Sequence, residues 1–135
     1  MAKIRTVLGD ISPDEFGPAL VHEHILVDFI EAEKFSRERY NREEVFEVML
    51  PYLARIKNLG VKGFVECTPA YMGRDPELLV RFSKALGIHI LTNTGLTRNL
   101  IFQNLLLSTQ LINLQNYGSK RFWKELKTPI LRQDS

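Results

Sequence analysis

Within the first 96 residues, three short apolar runs alternate with two longer stretches of helical periodicity, and that order leaves few folds open. The first run is Leu20-Val21-His22-Glu23-His24-Ile25-Leu26-Val27-Asp28. Polar, irregular residues 29–41 follow it, a loop expected to carry a short helix. Asn41 then offers an N-cap to a segment from Arg42 to Asn58, with Glu43 and Glu44 in the first turn, where carboxylates favour the positive end of the helix dipole. Val45, Val48, Met49, Tyr52, Leu53 and Ile56 keep helical spacing through it, and Gly60 ends it. Pro51 lies inside that pattern and is expected to kink the helix or split it near Leu50. Val61 to Cys67 reads as a buried strand. After a loop, Asp75-Pro76-Glu77 gives a cap, a proline at the first helical position and a first-turn acid, opening a helix through Leu78, Leu79, Phe82 and Leu86 to a stop at Gly87. Ile88-His89-Ile90-Leu91 is the third strand. Ahead of all this, Ile4 to Leu8 with Gly9-Asp10 reads as a short strand and turn, and Ser12-Pro13-Asp14-Glu15 as a turn or capping element.

Strands alternating with helices argue for a parallel α/β sheet with right-handed crossovers. Such a sheet gathers its functional groups at the C-terminal ends of its strands, where His24, Glu66, Thr68 and Asn93 all fall. Glu66 and Asn93 are read as residues that orient loops, Thr68 as a strand-end cap, and Arg74 as a solvated loop arginine. His89 begins its strand, away from that rim, and is read as structural. His22 and His24 differ from these. Side chains alternate across a strand, so both imidazoles project to one side, and two imidazoles on one side can meet the same metal ion. His-x-His alone recurs by chance on many sheet surfaces, and its position at the end of an apolar run is what makes it a candidate.

Composition excludes more than it assigns. A content of 44% hydrophobic and 25% charged residues is that of an ordinary globular domain. No apolar run approaches membrane-spanning length, and the N-terminus has no apolar signal core, so a cytoplasmic location without membrane attachment is the expectation. Cys67 is the single cysteine, which excludes a disulfide framework and a cysteine-based zinc site and leaves it the role of a small buried thiol.

Four pieces of the sequence carry a more specific signal: TVLGDISPDEFGPALVHEHILVDF, GVKGFVECTP, YMGRDPELL and GIHILTNTGL, in that order. Together they resemble the N-terminal part of the phosphotriesterase family of the amidohydrolase superfamily, both its phosphotriesterase-like lactonases and its phosphotriesterase homology proteins. The resemblance implies a (β/α)8 TIM barrel, truncated here to its first three βα units, with two divalent metals, commonly zinc, at the C-terminal rim. It makes His22 and His24 ligands of the more buried metal. The reaction it implies is attack by a metal-bridging hydroxide on a phosphoric triester or a lactone carbonyl, so that the partner is a small-molecule ester. Neutral imidazole suits zinc, and metal-bound water becomes nucleophilic near neutral pH. The family's remaining ligands come from later strands that 135 residues do not contain.

The resemblance stops at Leu96, and composition changes there. Residues 1–96 hold 12 Lys+Arg against 14 Asp+Glu, whereas residues 97–135 hold 6 against 2. Residues with G-first codons (Gly, Ala, Val, Asp, Glu) make up 35 of the first 96 but 3 of the last 39. Joining the third base of each tail codon to the first two of the next allows Tyr after Leu96, and it forces Glu at the Trp123/Lys124 junction and Leu at Phe122/Trp123. The frame so read permits an amphipathic helix. Residues 97–135 are therefore expected to be frameshifted sequence, which makes their basic charge accidental and removes the support for nucleic-acid binding.

Two functions follow from this reading. The first is an enzyme fragment, close to inactive alone, because two imidazoles without the other ligands hold zinc weakly and an open parallel sheet leaves an unpaired edge; poor solubility or a molten, oligomeric state is expected. The alternative is a non-catalytic α/β module whose tail is native, with Phe102, Leu105, Leu106, Thr109 and Ile112 on a helix used for assembly.

Overall fold

The computed structural model describes residues 1–30 and 33–95. The helix and the frameshift expected within residues 97–135 both lie outside these residues. The chain opens with a hairpin of β1 (Ile4–Thr6) and β2 (Gly9–Ile11), antiparallel and bound at its exposed side by an Arg5–Asp10 ion pair. A single helical turn, α1 (Pro13–Phe16), follows, with the Ser12 N–H donating to Glu15 Oε2 at 2.7 Å. The three strands read from the apolar runs are β3 (Ala19–Glu23), β4 (Gly63–Glu66) and β5 (His89–Thr92), and the two long helices are α2 (Arg42–Asn58) and α3 (Pro76–Leu86). A 3₁₀ turn at Arg37–Arg39 sits in the loop before α2.

The sheet has the order β3-β4-β5 with both pairings parallel, as the alternation requires. Phe64 of β4 lies beside Ile90 of β5, and both are buried with Leu79 and Phe82 of α3 and Leu53 of α2. Phe46 of α2 stacks on Phe82 of α3, their centroids 4.8 Å apart, and the Arg81 guanidinium covers the outer face of Phe46 at 4.1 Å. The edge of β5 is engaged by the hairpin, where the Val7 N–H donates to Ile90 O at 2.9 Å.

Both predicted caps form. Asn41 Oδ1 accepts from the N–H groups of Glu43 and Glu44, and Asp75 Oδ1 from those of Glu77 and Leu78. Gly87 ends α3 at φ 66°. Pro51 does not split α2, which runs unbroken through it. Pro51 and Glu47, whose carbonyl loses its usual i+4 donor, are both exposed, so that carbonyl has water to turn to.

One feature of β3 was not legible as alternation. Leu20 pairs with Phe64 and Glu23 with Glu66, leaving two residues between the pairs on β3 (Val21 and His22) against one on β4 (Val65), so β3 carries a bulge. One extra residue reverses the faces of everything after it. Leu20 packs on the core, while His22 and His24, which simple alternation would place on the same side as Leu20, are exposed instead.

Candidate metal centre at the strand ends

His22 lies within β3 and His24 one residue beyond its end, with ring centroids 5.4 Å apart and planes inclined at 67°. Two imidazoles bound to one tetrahedral zinc, with Zn–N near 2.0–2.1 Å, have centroids separated by about 5 Å. The pair fits a shared ion on that measure. Among the described residues no third histidine, cysteine, aspartate or glutamate joins them to complete a set of ligands.

The strand ends are stitched together beside the pair. The Cys67 N–H donates to Glu23 O at 2.8 Å, which holds the end of β4 against the end of β3. This brings Thr68, fully buried, to His24, with Oγ1 2.9 Å from Nδ1. The Thr68 hydroxyl also donates to Oε1 of Glu66, the last residue of β4 and itself buried. Burial pushes the Glu66 carboxyl above its usual range, against the hydrogen bonds from Thr68 and from the backbone of Ile25 that favour the charged form. Its Oε2 is buried with no hydrogen-bond partner among the described residues. Asn93 acts as read from the sequence: its Nδ2 donates to Thr68 O at 3.1 Å and its Oδ1 accepts from the Gly95 N–H at 2.7 Å. His89 begins β5 at the opposite end of the sheet, with its N–H on Lys62 O.

Three readings change. Thr68 is more than a strand-end cap, since it joins a histidine 44 residues earlier to a carboxylate two residues away. Arg74 is buried rather than solvated, and its Nη1 donates to Asn93 O at 2.5 Å, tying the loop after β4 to the loop after β5. Cys67 is half-buried, with its Sγ toward the carbonyls of Val21 and Val65. The Gly73-Arg74-Asp75 run thus has a physical reading. Gly73 adopts φ 121°, and a Cβ there would run into the Leu26 carbonyl, while Arg74 binds the neighbouring loop and Asp75 caps α3.

Parallel βα units with polar groups collected at the C-terminal rim are common to open α/β sheets and barrels, and the fold shared with the solved structures below makes these the opening units of a (β/α)8 barrel. The chain belongs to the phosphotriesterase family, whose model matches residues 2–118. A phosphotriesterase-related protein of Drosophila mojavensis is 27% identical over 124 aligned residues, covering 70% of this chain and 35% of its own. The aryldialkylphosphatase of Saccharolobus solfataricus is 33% identical over 87, covering 64% and 27%. Among solved structures, a variant of a phosphotriesterase-like lactonase from Deinococcus radiodurans superposes with a TM-score of 0.68 at 22% identity, over 78% of this chain and 34% of that one. The organophosphorus hydrolase of the same organism gives 0.59 at 22% identity, over 67% and 27%. The chain spans between about a quarter and about a third of the length of these curated relatives. No helix among the described residues is long and apolar enough to cross a membrane.

Proposed function

We propose that the chain is the N-terminal part of a metal-dependent hydrolase of small phosphoric triesters or lactones, in which His22 and His24 hold a divalent ion, zinc first. The reading rests on the 5.4 Å separation of the two rings at the rim of a parallel sheet. The names of the relatives support the substrate class: an aryldialkylphosphatase, an organophosphorus hydrolase and a lactonase. A bound divalent ion supplies Lewis acidity toward a phosphoryl or carbonyl oxygen and a water made nucleophilic near neutral pH. The chain's own residues hold the geometry for it. β3 presents the two rings, Thr68 fixes one of them, and Asn93 and Arg74 order the loops that border the rim. A cytoplasmic setting and a binary complex with the ester, without nucleic acid, complete the proposal.

Two imidazoles alone bind zinc weakly, so the expected behaviour of these 135 residues is low-affinity binding with little turnover. Calorimetric zinc titration of the chain, of His22→Ala and of His24→Ala checks it, with hydrolysis of paraoxon and of a lactone followed in parallel. Loss of binding in both variants is expected; zinc affinity indifferent to both substitutions rejects the assignment.

A further inference from the structure

Building on the proposal that His24 is a metal ligand, we infer that Thr68 is the positioning residue that sets its tautomer, keeping the proton on Nδ1 and the lone pair on Nε2. A hydroxyl carries one hydrogen and two lone pairs. The Thr68 hydrogen is directed at Oε1 of Glu66, which accepts it. Oγ1 then has only lone pairs left for the imidazole 2.9 Å away, so the ring nitrogen facing it must be the donor. A neutral imidazole that donates from Nδ1 accepts at Nε2, and Nε2 is the atom left to meet a cation.

The placement is rigid. Thr68 is fully buried, its carbonyl is held by Asn93 Nδ2 at 3.1 Å, and the residue before it is tied to β3 through Glu23 O. Glu66 is buried at the end of β4. The relay Glu66–Thr68–His24 therefore crosses from one strand end to the next and does not depend on a mobile surface group. The reverse polarity would need a proton on Glu66: Thr68 would then donate to Nδ1, and the proton would sit on Nε2, where it excludes a metal. The two arrangements make opposite predictions.

Long-range ¹H–¹⁵N correlation spectra of the metal-free chain, recorded at about pH 8 where an unperturbed imidazole is neutral, report the His24 tautomer directly. Nδ1–H in the native chain, a shift toward Nε2–H or a mixture in Thr68→Val, and return to Nδ1–H in Thr68→Ser are expected. Zinc affinity should fall roughly ten- to a hundredfold in Thr68→Val and recover in Thr68→Ser, the range seen when a group orienting a ligand is removed. An Nε2–H tautomer in the native chain overturns the inference with no variant required, as does an unchanged tautomer in Thr68→Val. If the tautomers follow the expected pattern but no chain binds zinc, the metal assignment fails instead, and the two failures are told apart.

Discussion

Asp75 shows how much one buried side chain can hold. Its Oδ1 caps α3, and its Oδ2 accepts from the Tyr40 hydroxyl and from Arg42 Nε, each at 2.6 Å. The residue thereby fastens the start of α3 to the start of α2. Tyr40 records this in its acidity. Burial first, then the hydrogen bond and charge of Asp75, push its phenol well above the ordinary value near 10. The folded chain keeps that proton at pH values where the unfolded chain gives it up. The stabilisation is therefore complete below pH 10 and lost as pH rises beyond it. Tyr40→Phe is expected to cost about 1.5–3 kcal/mol at neutral pH, the worth of a hydrogen bond to a charged acceptor, and to flatten the fall in stability above pH 10. Proteolytic susceptibility measured against pH, native chain beside variant, checks both the size and the sign. Part of this residue was legible beforehand. A cap acts on the N–H groups two and three positions ahead, so Asp75-Pro76-Glu77 announces a helix start locally. Arg74 and Thr68 were misread because their partners lie 19 and 44 residues away, a distance at which residue type alone carries no signal.

At the scale of elements, α2 marks where periodicity informs and where it misleads. Its length and cap were readable, yet its apolar stripe is wider than the face that α3 and the sheet cover. Val45, Met49, Leu53 and Ile56 pack inward, whereas Val48 and Tyr52, which share the spacing, are 55% and 65% exposed. Periodicity locates an apolar face but not its partner. Pro51 is the second case: the local rule predicted a kink or a split, and the helix runs on through it without a split. The proline still removes one helical hydrogen bond, on an exposed turn where alanine would meet no steric obstacle. Pro51→Ala is expected to stabilise the chain by about 1–3 kcal/mol, read as a higher thermal midpoint in the helical circular dichroism signal. A lower midpoint would mean that the proline ring fills a contact worth more than the restored bond.

At the scale of the whole molecule, the three strands differ in how they are covered. β4 is paired on both sides, and β5 receives the hairpin through Val7. β3 has no strand beyond it among the described residues, and Val21 on it is 71% exposed. Order and direction of these strands were legible because helix and strand periods are local; which edges stay open is a property of the assembled sheet and was readable only through the family resemblance. An extended edge with an apolar residue is a template for another strand. The chain is therefore expected to associate through β3 in a concentration-dependent way, and Val21→Lys, which adds a charge at that edge, should shift it toward monomer in sedimentation velocity runs without loss of helical signal. Association unchanged by the lysine would move the contact off β3, leaving the exposed face of α2 around Val48 and Tyr52 as the surface to substitute next. A sharp cooperative melt from a monomer at all concentrations would show instead that the open edge is tolerated, and that three parallel strands with two crossover helices are enough to hold the rim in place.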